Sequence, residues 1–302
     1  MAEKKYKVIG LGELLWDLFP AGKKLGGAPA NFAYITSLLG DDGIPVSRVG
    51  HDELGQEGRR CLTQLGLCAD FVQDDRDHPT GTVKVAVDSA GQPRFEIAES
   101  VAWDFFEWTP QWQRLAAEVD AVCFGSLAQR SAHSRSCIVN FVRAARPNAL
   151  RVFDVNLRQH FFDDVVIADS MKLARLVKMN HEELPRIMRL LRLEHRDEKS
   201  SAQHLLDLFN LELICITRGQ EGSLIVTHDS AHAHAGFRVK VADTVGAGDA
   251  FTAALVHEFL RGSSIDRMND AANRVGAWVA SQVGGTPAVR PGELEQTLRK
   301  VG

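Results

Sequence analysis

DTVGAGDAF, running from Asp243 to Phe251, decides how this 302-residue chain is read. Gly246, Ala247 and Gly248 let the backbone approach a ligand closely and leave peptide N–H groups pointing outward. An apolar helical rhythm follows at once, with Phe251, Leu255 and Phe259 at i, i+4 and i+8. A small-residue turn that opens a helix binds anions, because its first N–H groups lack intrahelical partners and the helix dipole favours negative charge. Asp249 stands in that same first turn, where its carboxylate would repel a resident phosphate. The placement makes sense when the anion is transient and the carboxylate takes a proton from an attacking hydroxyl, which is the chemistry of phosphoryl transfer to an alcohol. The competing reading is a capping or dipole residue with no catalytic part.

A second glycine cluster, GGAPANFA, spans Gly26 to Ala33. Gly26 and Gly27 predict a tight turn, and Pro29 suits a first helical turn because its missing N–H is not needed there. Phe32, Ile35, Leu38 and Leu39 continue at helical spacing, and Gly40 marks a stop. Asn31, one turn in, offers an amide to a polyol, although these residues taken alone favour a capped helix with a surface Asn.

Short apolar runs alternating with helical patterns predict a doubly wound, mostly parallel sheet flanked by helices, an α/β fold. Strands are expected at Tyr6–Leu11, Ala121–Phe124, Arg151–Val155, Leu176–Met179 and Leu213–Thr217. Helices are expected at Ser131–Ala145, Glu182–Leu193 and Ala202–Phe209. Gly81–Asp88 alternates through Val83, Val85 and Val87, and a turn at Ser89–Gln92 leads to a second run at Arg94–Ile97. That pattern predicts a hairpin with one polar face, partly outside the main core. No linker or repeat divides the chain, so one domain over residues 1–302 is expected.

Hydrophobic content of 45% and charged content of 25% are ordinary for a globular protein, and a net charge of −4 argues against a nucleic-acid partner. Arg186, Arg189, Arg192 and Arg196 form the best counter-argument, read here as one solvated helix face. Five cysteines without a C-x-x-C pair argue against disulfide or zinc frameworks. No apolar stretch approaches the roughly 18 residues that span a bilayer, and no signal sequence opens the chain. A cytoplasmic enzyme without membrane contact is therefore expected.

Together, DTVGAGD and GGAPANFA resemble the paired signatures of the pfkB, or ribokinase-like, family of sugar kinases, over about Lys7 to Pro291. GELLWDLFPAGKKLGGAPANFA, GTVKVAVDSAGQPRFEI, VAWD and DVNLR narrow the likeness to fructokinases. The resemblance implies a ribokinase-like fold with a small β lid, inserted near residues 13–24 and 79–107, over the sugar. It implies transfer from ATP to fructose at C6, with Asp249 as base and Gly246, Ala247 and Gly248 as the anion hole; residue chemistry alone does not separate C6 from C1. Arg158 would neutralise the γ-phosphate or hold the sugar. Asp17, Gly27 and Asn31 would bind the sugar with Asn156, while Phe95 and Trp103 would be apolar lid contacts. Thr217, Gly219, Gly222 and Asn273 would meet the nucleotide. Asn180 and Glu183 match an N-x-x-E motif that holds water around magnesium, an ion preferring oxygen ligands; a helix cap with acids on the dipole explains them without metal. Asp243 matches a position beside a monovalent cation, but Ala288 offers no side-chain oxygen, so potassium is left open through the carbonyls of Val245 and Gly284. Lids of related enzymes pair between subunits, which implies a homodimer. Other kinases of the family, acting on 2-keto-3-deoxygluconate, ribose or a nucleoside, and a silent sugar-binding relative are the alternatives.

Other nucleotide and metal motifs fail. There is no G-x-x-x-x-G-K-[ST] loop, His195-Arg196-Asp197 lacks the Asn and DFG of a protein kinase, and His181-Glu182 lacks a second zinc histidine.

Overall fold

The computed structural model describes residues 4–20, 22–87, 93–289 and 293–301, without the side chains of 85–87 and 93–95. The chain opens with β1 (Lys7–Leu11), then β2 (Leu15–Phe19) and β3 (Gly22–Gly26), helix α1 (Ala28–Leu38) and β4 (Asp42–Gly50). Next come α2 (Glu53–Gln64), β5 (Val72–Asp75), β6 (Gly81–Val87), β7 (Pro93–Ile97), α3 (Pro110–Ala116) and β8 (Ala121–Phe124). The middle of the chain alternates α4 (Ala132–Ala144), β9 (Leu150–Asp154), α5 (Asp164–Leu173), β10 (Leu176–Asn180), α6 (Glu183–Leu190), α7 (Glu198–Phe209) and β11 (Leu213–Thr217). It ends with β12 (Ser223–Val226), β13 (Ala231–His234), α8 (Ala247–Leu260), α9 (Ile265–Ala280) and α10 (Leu294–Leu298).

Nine strands form one sheet in the order β13-β12-β11-β10-β9-β8-β1-β4-β5, parallel except around β12. Residues alternate across it. Val122, Phe153, Val177 and Ile214 enter a core shared with Phe141, Ile167, Ile187 and Leu205 of α4 to α7. Cys123, Val152, Leu176 and Cys215 face the opposite side, with Phe32, Leu255 and Trp278 of α1, α8 and α9. Burial on both faces explains the nearly unbroken apolar runs and confirms the doubly wound α/β expectation. Each buried large side chain contributes roughly 1.5–3 kcal/mol, so the sheet is a rigid platform.

A second, smaller sheet is ordered β3-β2-β6-β7 where the lid is expected, and its Leu15, Val83 and Ile97 pack into the core shared with α4 to α7. β2 pairs with β6 in parallel, with Trp16 opposite Thr82, while β3 and β7 are antiparallel edges. The lid ends earlier than residue 107. Val101, Ala102, Trp103, Asp104 and Phe106 are buried in the body, because three apolar aromatic side chains in VAWDFF find more cover there. The expected turn at 89–92 lies outside the described residues.

Several boundaries move for visible reasons. α7 begins four residues before Ala202 because Asp197 caps it, accepting from Ser200 N–H at 2.9 Å. α6 stops at Leu190, so Arg192 (φ 57°) and Arg196 lie beyond it and the arginine row is not one helix face. β4 hides in DGIPVSRVG because Pro45 interrupts the strand pattern; it sits before the β5 pairing begins at Ser47. Among the described residues, no helix is long and apolar enough to cross a membrane.

Candidate active site

Strands of an open α/β sheet present ligands at their C-terminal ends. Here β1, β8 and β9 end around a cavity lined by Glu13, Phe32, Cys123, Ser126, Asp154, Asn156 and Asp249. Gly246 caps α8 at φ 76°, a left-handed conformation that glycine adopts without penalty. A Cβ there would lie 2.3 Å from Gly285 Cα, so the turn is stacked backbone-to-backbone on its neighbour. Ala247 N–H turns back to the Thr244 carbonyl at 3.3 Å, and the first helical bond is Ala250 N–H to Gly246 O at 2.9 Å. Gly248 and Asp249 therefore carry the N–H groups that precede the helical ladder.

Asp249 projects from that first turn into the cavity, and its Oδ2 accepts from Asn31 Nδ2 at 2.8 Å. Burial lifts its carboxyl to about 6, with the charge of Asp154 adding and Asn31, Lys178 and Arg158 opposing. An acid tuned upward toward neutrality is a better proton acceptor than an ordinary aspartate. Glu13, just after β1, is buried nearby and pushed up to about 7 by burial and by Asp249, against its backbone hydrogen bonds and Arg158. Exposed Arg158 lies within electrostatic range of Glu13, Asp17 and Asp249. Asn156, at φ 43°, lines the cavity between them. Asp17 hangs from the lid, its carboxyl raised by burial and by Asp243 against Arg158 and Lys24.

On the neighbouring strand ends, Asn180 Oδ1 accepts from the N–H groups of Glu182 and Glu183 at 2.9 and 2.8 Å, capping α6. Glu183 is buried, and its two oxygens accept from Leu157 N–H at 2.7 Å and Asn180 N–H at 2.8 Å. Among the described residues no three of His, Cys, Asp or Glu gather as a metal cage. These oxygens fit a partner reached through water rather than one bound directly. Asp243 accepts from Val245 N–H at 3.0 Å and Gly284 N–H at 3.1 Å, and Lys24 Nζ of the lid stands 4.0 Å from it.

Residues 12–291 match the profile of the pfkB family carbohydrate kinases. The chain belongs to that family. A fructokinase of Escherichia coli is 29% identical to it, over 94% of this chain and 96% of the relative. A fructokinase of Salmonella typhimurium is 31% identical over 83% of each. An uncharacterized sugar kinase from Pyrococcus horikoshii, solved in complex with ATP, superposes with a TM-score of 0.83 at 27% identity, covering 97% of this chain and 99% of that one.

Within this pfkB kinase several expected contacts fall elsewhere. Trp103 meets the lid from below: it is fully buried, a Cβ on Gly81 of β6 would stand 2.2 Å from its Nε1, and the Arg130 guanidinium lies 3.9 Å above its ring. The Asp104–Arg130 ion pair at 2.7 Å pins that segment inside the body. The Phe95 side chain lies outside the described residues. Gly222, at φ 81°, spends its N–H on Gly219 O at 3.2 Å and packs against β13, where a Cβ would meet His234 O at 1.9 Å. Asn273 is buried, and its Nδ2 is committed to Ser223 Oγ at 2.7 Å and to Asn269 O and Oδ1 at 2.7 and 2.9 Å. Thr217 and Gly219, at the end of β11, remain partly open, and a Cβ on Gly219 would meet nothing within 4 Å. Asn31 is brought against Asp249 by one of its amide hydrogens.

Sequence reading missed Glu13, Asp154, Lys178 and Thr252. Each left a signal. Glu13 directly follows a strand end, Asp154 opens DVNLR, and Lys178 interrupts the apolar strand LVKMN, where a lysine is costly unless paired.

Proposed function

We infer that this pfkB-family kinase is an ATP-dependent fructokinase, making fructose 6-phosphate and ADP. The observation that carries the reading is Asp249, raised to about 6, in the first turn of α8 and facing a cavity shared with Asn156. The fructokinase relatives support the sugar, and the ATP complex of the Pyrococcus horikoshii enzyme supports the donor.

In the proposed step a primary hydroxyl of fructose, held by Asp17 and Asn156, gives its proton to Asp249 as its oxygen bonds the γ-phosphorus. The bond from that phosphorus to the β,γ-bridging oxygen breaks, and ADP leaves with the electron pair. The N–H groups of Gly248 and Asp249 meet the charge spreading over the transferred oxygens, and Arg158 balances it from the opposite side. Magnesium, when bound, neutralises the nucleotide phosphates, with Asn180 and Glu183 meeting its water shell. Thr217 and Gly219 border the nucleotide. The lid shields the acceptor from water, which would otherwise compete for the phosphoryl group.

A coupled ADP-release assay across fructose, ribose, 2-keto-3-deoxygluconate and adenosine tests the reading. Fructose is expected to give the highest kcat/KM, with phosphorus NMR placing the new ester on C6. A nucleoside or keto acid as best acceptor would sink the fructokinase assignment and keep the kinase.

A further inference from the structure

Beneath the first turn of α8 lies an ion pair that no motif announces. Lys178 in β10 and Asp154 at the end of β9 are register partners. Lys178 Nζ is 3.1 Å from Asp154 Oδ1 and 3.2 Å from Oδ2, and the two side chains are 10% and 9% exposed. Buried ion pairs seldom stabilise a fold beyond what apolar residues of the same size would achieve, so this pair asks for a local reason. Two contacts supply one. A Cβ on Gly248 would stand 3.1 Å from Lys178 Nζ, which places the ammonium against the anion-hole turn. Thr252 Oγ1 donates to Asp154 Oδ2 at 2.8 Å and lies 3.0 Å from Gly248 O, tying the carboxylate to the same turn.

We propose that Lys178 and Asp154 are positioning residues for phosphoryl transfer: the ammonium supports the anion-hole turn from below, and the carboxylate, anchored through Thr252, holds the ammonium there. The proposal rests on the kinase reading above. It carries two readouts: the charges act on Asp249 with opposite signs, and loss of kcat that Lys178→Arg recovers separates a positioning pair from a merely structural one. Asp249 is faced by Glu13 from the β1 end, Asn31 from α1, Asp154 and Arg158 from β9 and its loop, and Lys178 from β10. Lys178 favours its ionised form and Asp154 disfavours it. The same surroundings hold the lysine charged, since Asp154, Glu183 and Asp249 outweigh its burial.

The test is carbon-13 NMR of aspartate-labelled protein, with the Asp249 signal assigned from Asp249→Asn, titrated in wild type, Lys178→Met and Asp154→Asn. The Asp249 midpoint is expected to rise by about one pH unit in Lys178→Met and to fall in Asp154→Asn. In the kinase assay, kcat of Lys178→Met is expected to drop about 10- to 100-fold, with Lys178→Arg recovering most of it. Where Lys178→Met fails to fold, the downward shift in Asp154→Asn decides alone. Midpoints that stay put or move the same way overturn the proposal. A wild type that phosphorylates none of the sugars would overturn the kinase reading instead, and leave the titration result standing.

Discussion

Two regions of the molecule hold charge on different terms. Under α8, Asp154, Lys178 and Glu13 are nearly sealed from water, and each is held by hydrogen bonds or close neighbours. In the lid, Lys23 and Lys24 sit side by side on β3 and point to opposite faces of the sheet. Lys23 reaches Glu57 of α2 at 2.6 Å, and Lys24 stops 4.0 Å short of Asp243; their side chains are 35% and 47% exposed. Glu13 and Lys178 in the first region bind their protons more tightly than usual, and all three side chains have little freedom. Charges in the second are screened, and such pairs contribute about 0–1 kcal/mol each. On the proposed reaction, chemistry would fall to the sealed region and access to the loose one.

The largest expected effect belongs to the sealed side. Asp249→Asn should lower kcat by roughly 10²–10⁴ while leaving the fold and ATP binding intact. Steady-state kinetics with a thermal melt measure it. Survival of activity with an unchanged melting temperature would reduce Asp249 to a helix cap and erase the contrast.

Next in size is the stability that the sealed charges forfeit. Glu13 binds its proton more tightly folded than unfolded, with a carboxyl at about 7 against 4.5. The stability this confers is complete below about pH 4.5 and is lost as pH rises through 7. Glu13→Gln removes the ionisation, so it should stabilise the protein by about 1–3 kcal/mol at pH 8 and not at pH 4. Melting curves at the two pH values decide; an equal change at both would mean that burial of Glu13 is unimportant.

The smallest effect is expected on the lid. Lys24→Met should raise KM for the sugar by no more than about fivefold, leave kcat nearly unchanged, and remove part of the salt dependence of KM. A fall in kcat equal to that of the buried variants would show that Lys24 belongs to the catalytic turn.

The parts that were legible in the sequence follow the same division. β8 and β11 stand where the apolar runs of Ala121–Phe124 and Leu213–Thr217 placed them, because strands buried on both faces need no alternation to be seen. The α8 turn was legible because glycine, alanine and aspartate have few other reasons to occur in that order before a helix. Trp103 joins two readings in one residue: an aromatic reads alike on a lid and in a core, and here the indole edge meets Gly81 of the lid while the ring lies under Arg130. Glu13 and Lys178 went unread because their meaning depends on partners more than 20 residues away, and spacing along one chain carries no record of that distance.

The glycine contacts have a consequence for how this enzyme can change over generations. A Cβ on Gly27 would come within 2.4 Å of Glu13 O, one on Gly246 within 2.3 Å of Gly285 Cα, and one on Gly285 within 2.7 Å of Asn31 Cγ. Real side chains do not tolerate such distances, so no graded series of substitutions leads away from these positions. Descendants with new acceptors arise more readily through the β3 lysines and the outer lid, where a replacement is felt weakly. Inheritance of the reaction and drift of the substrate are written into separate stretches of one chain.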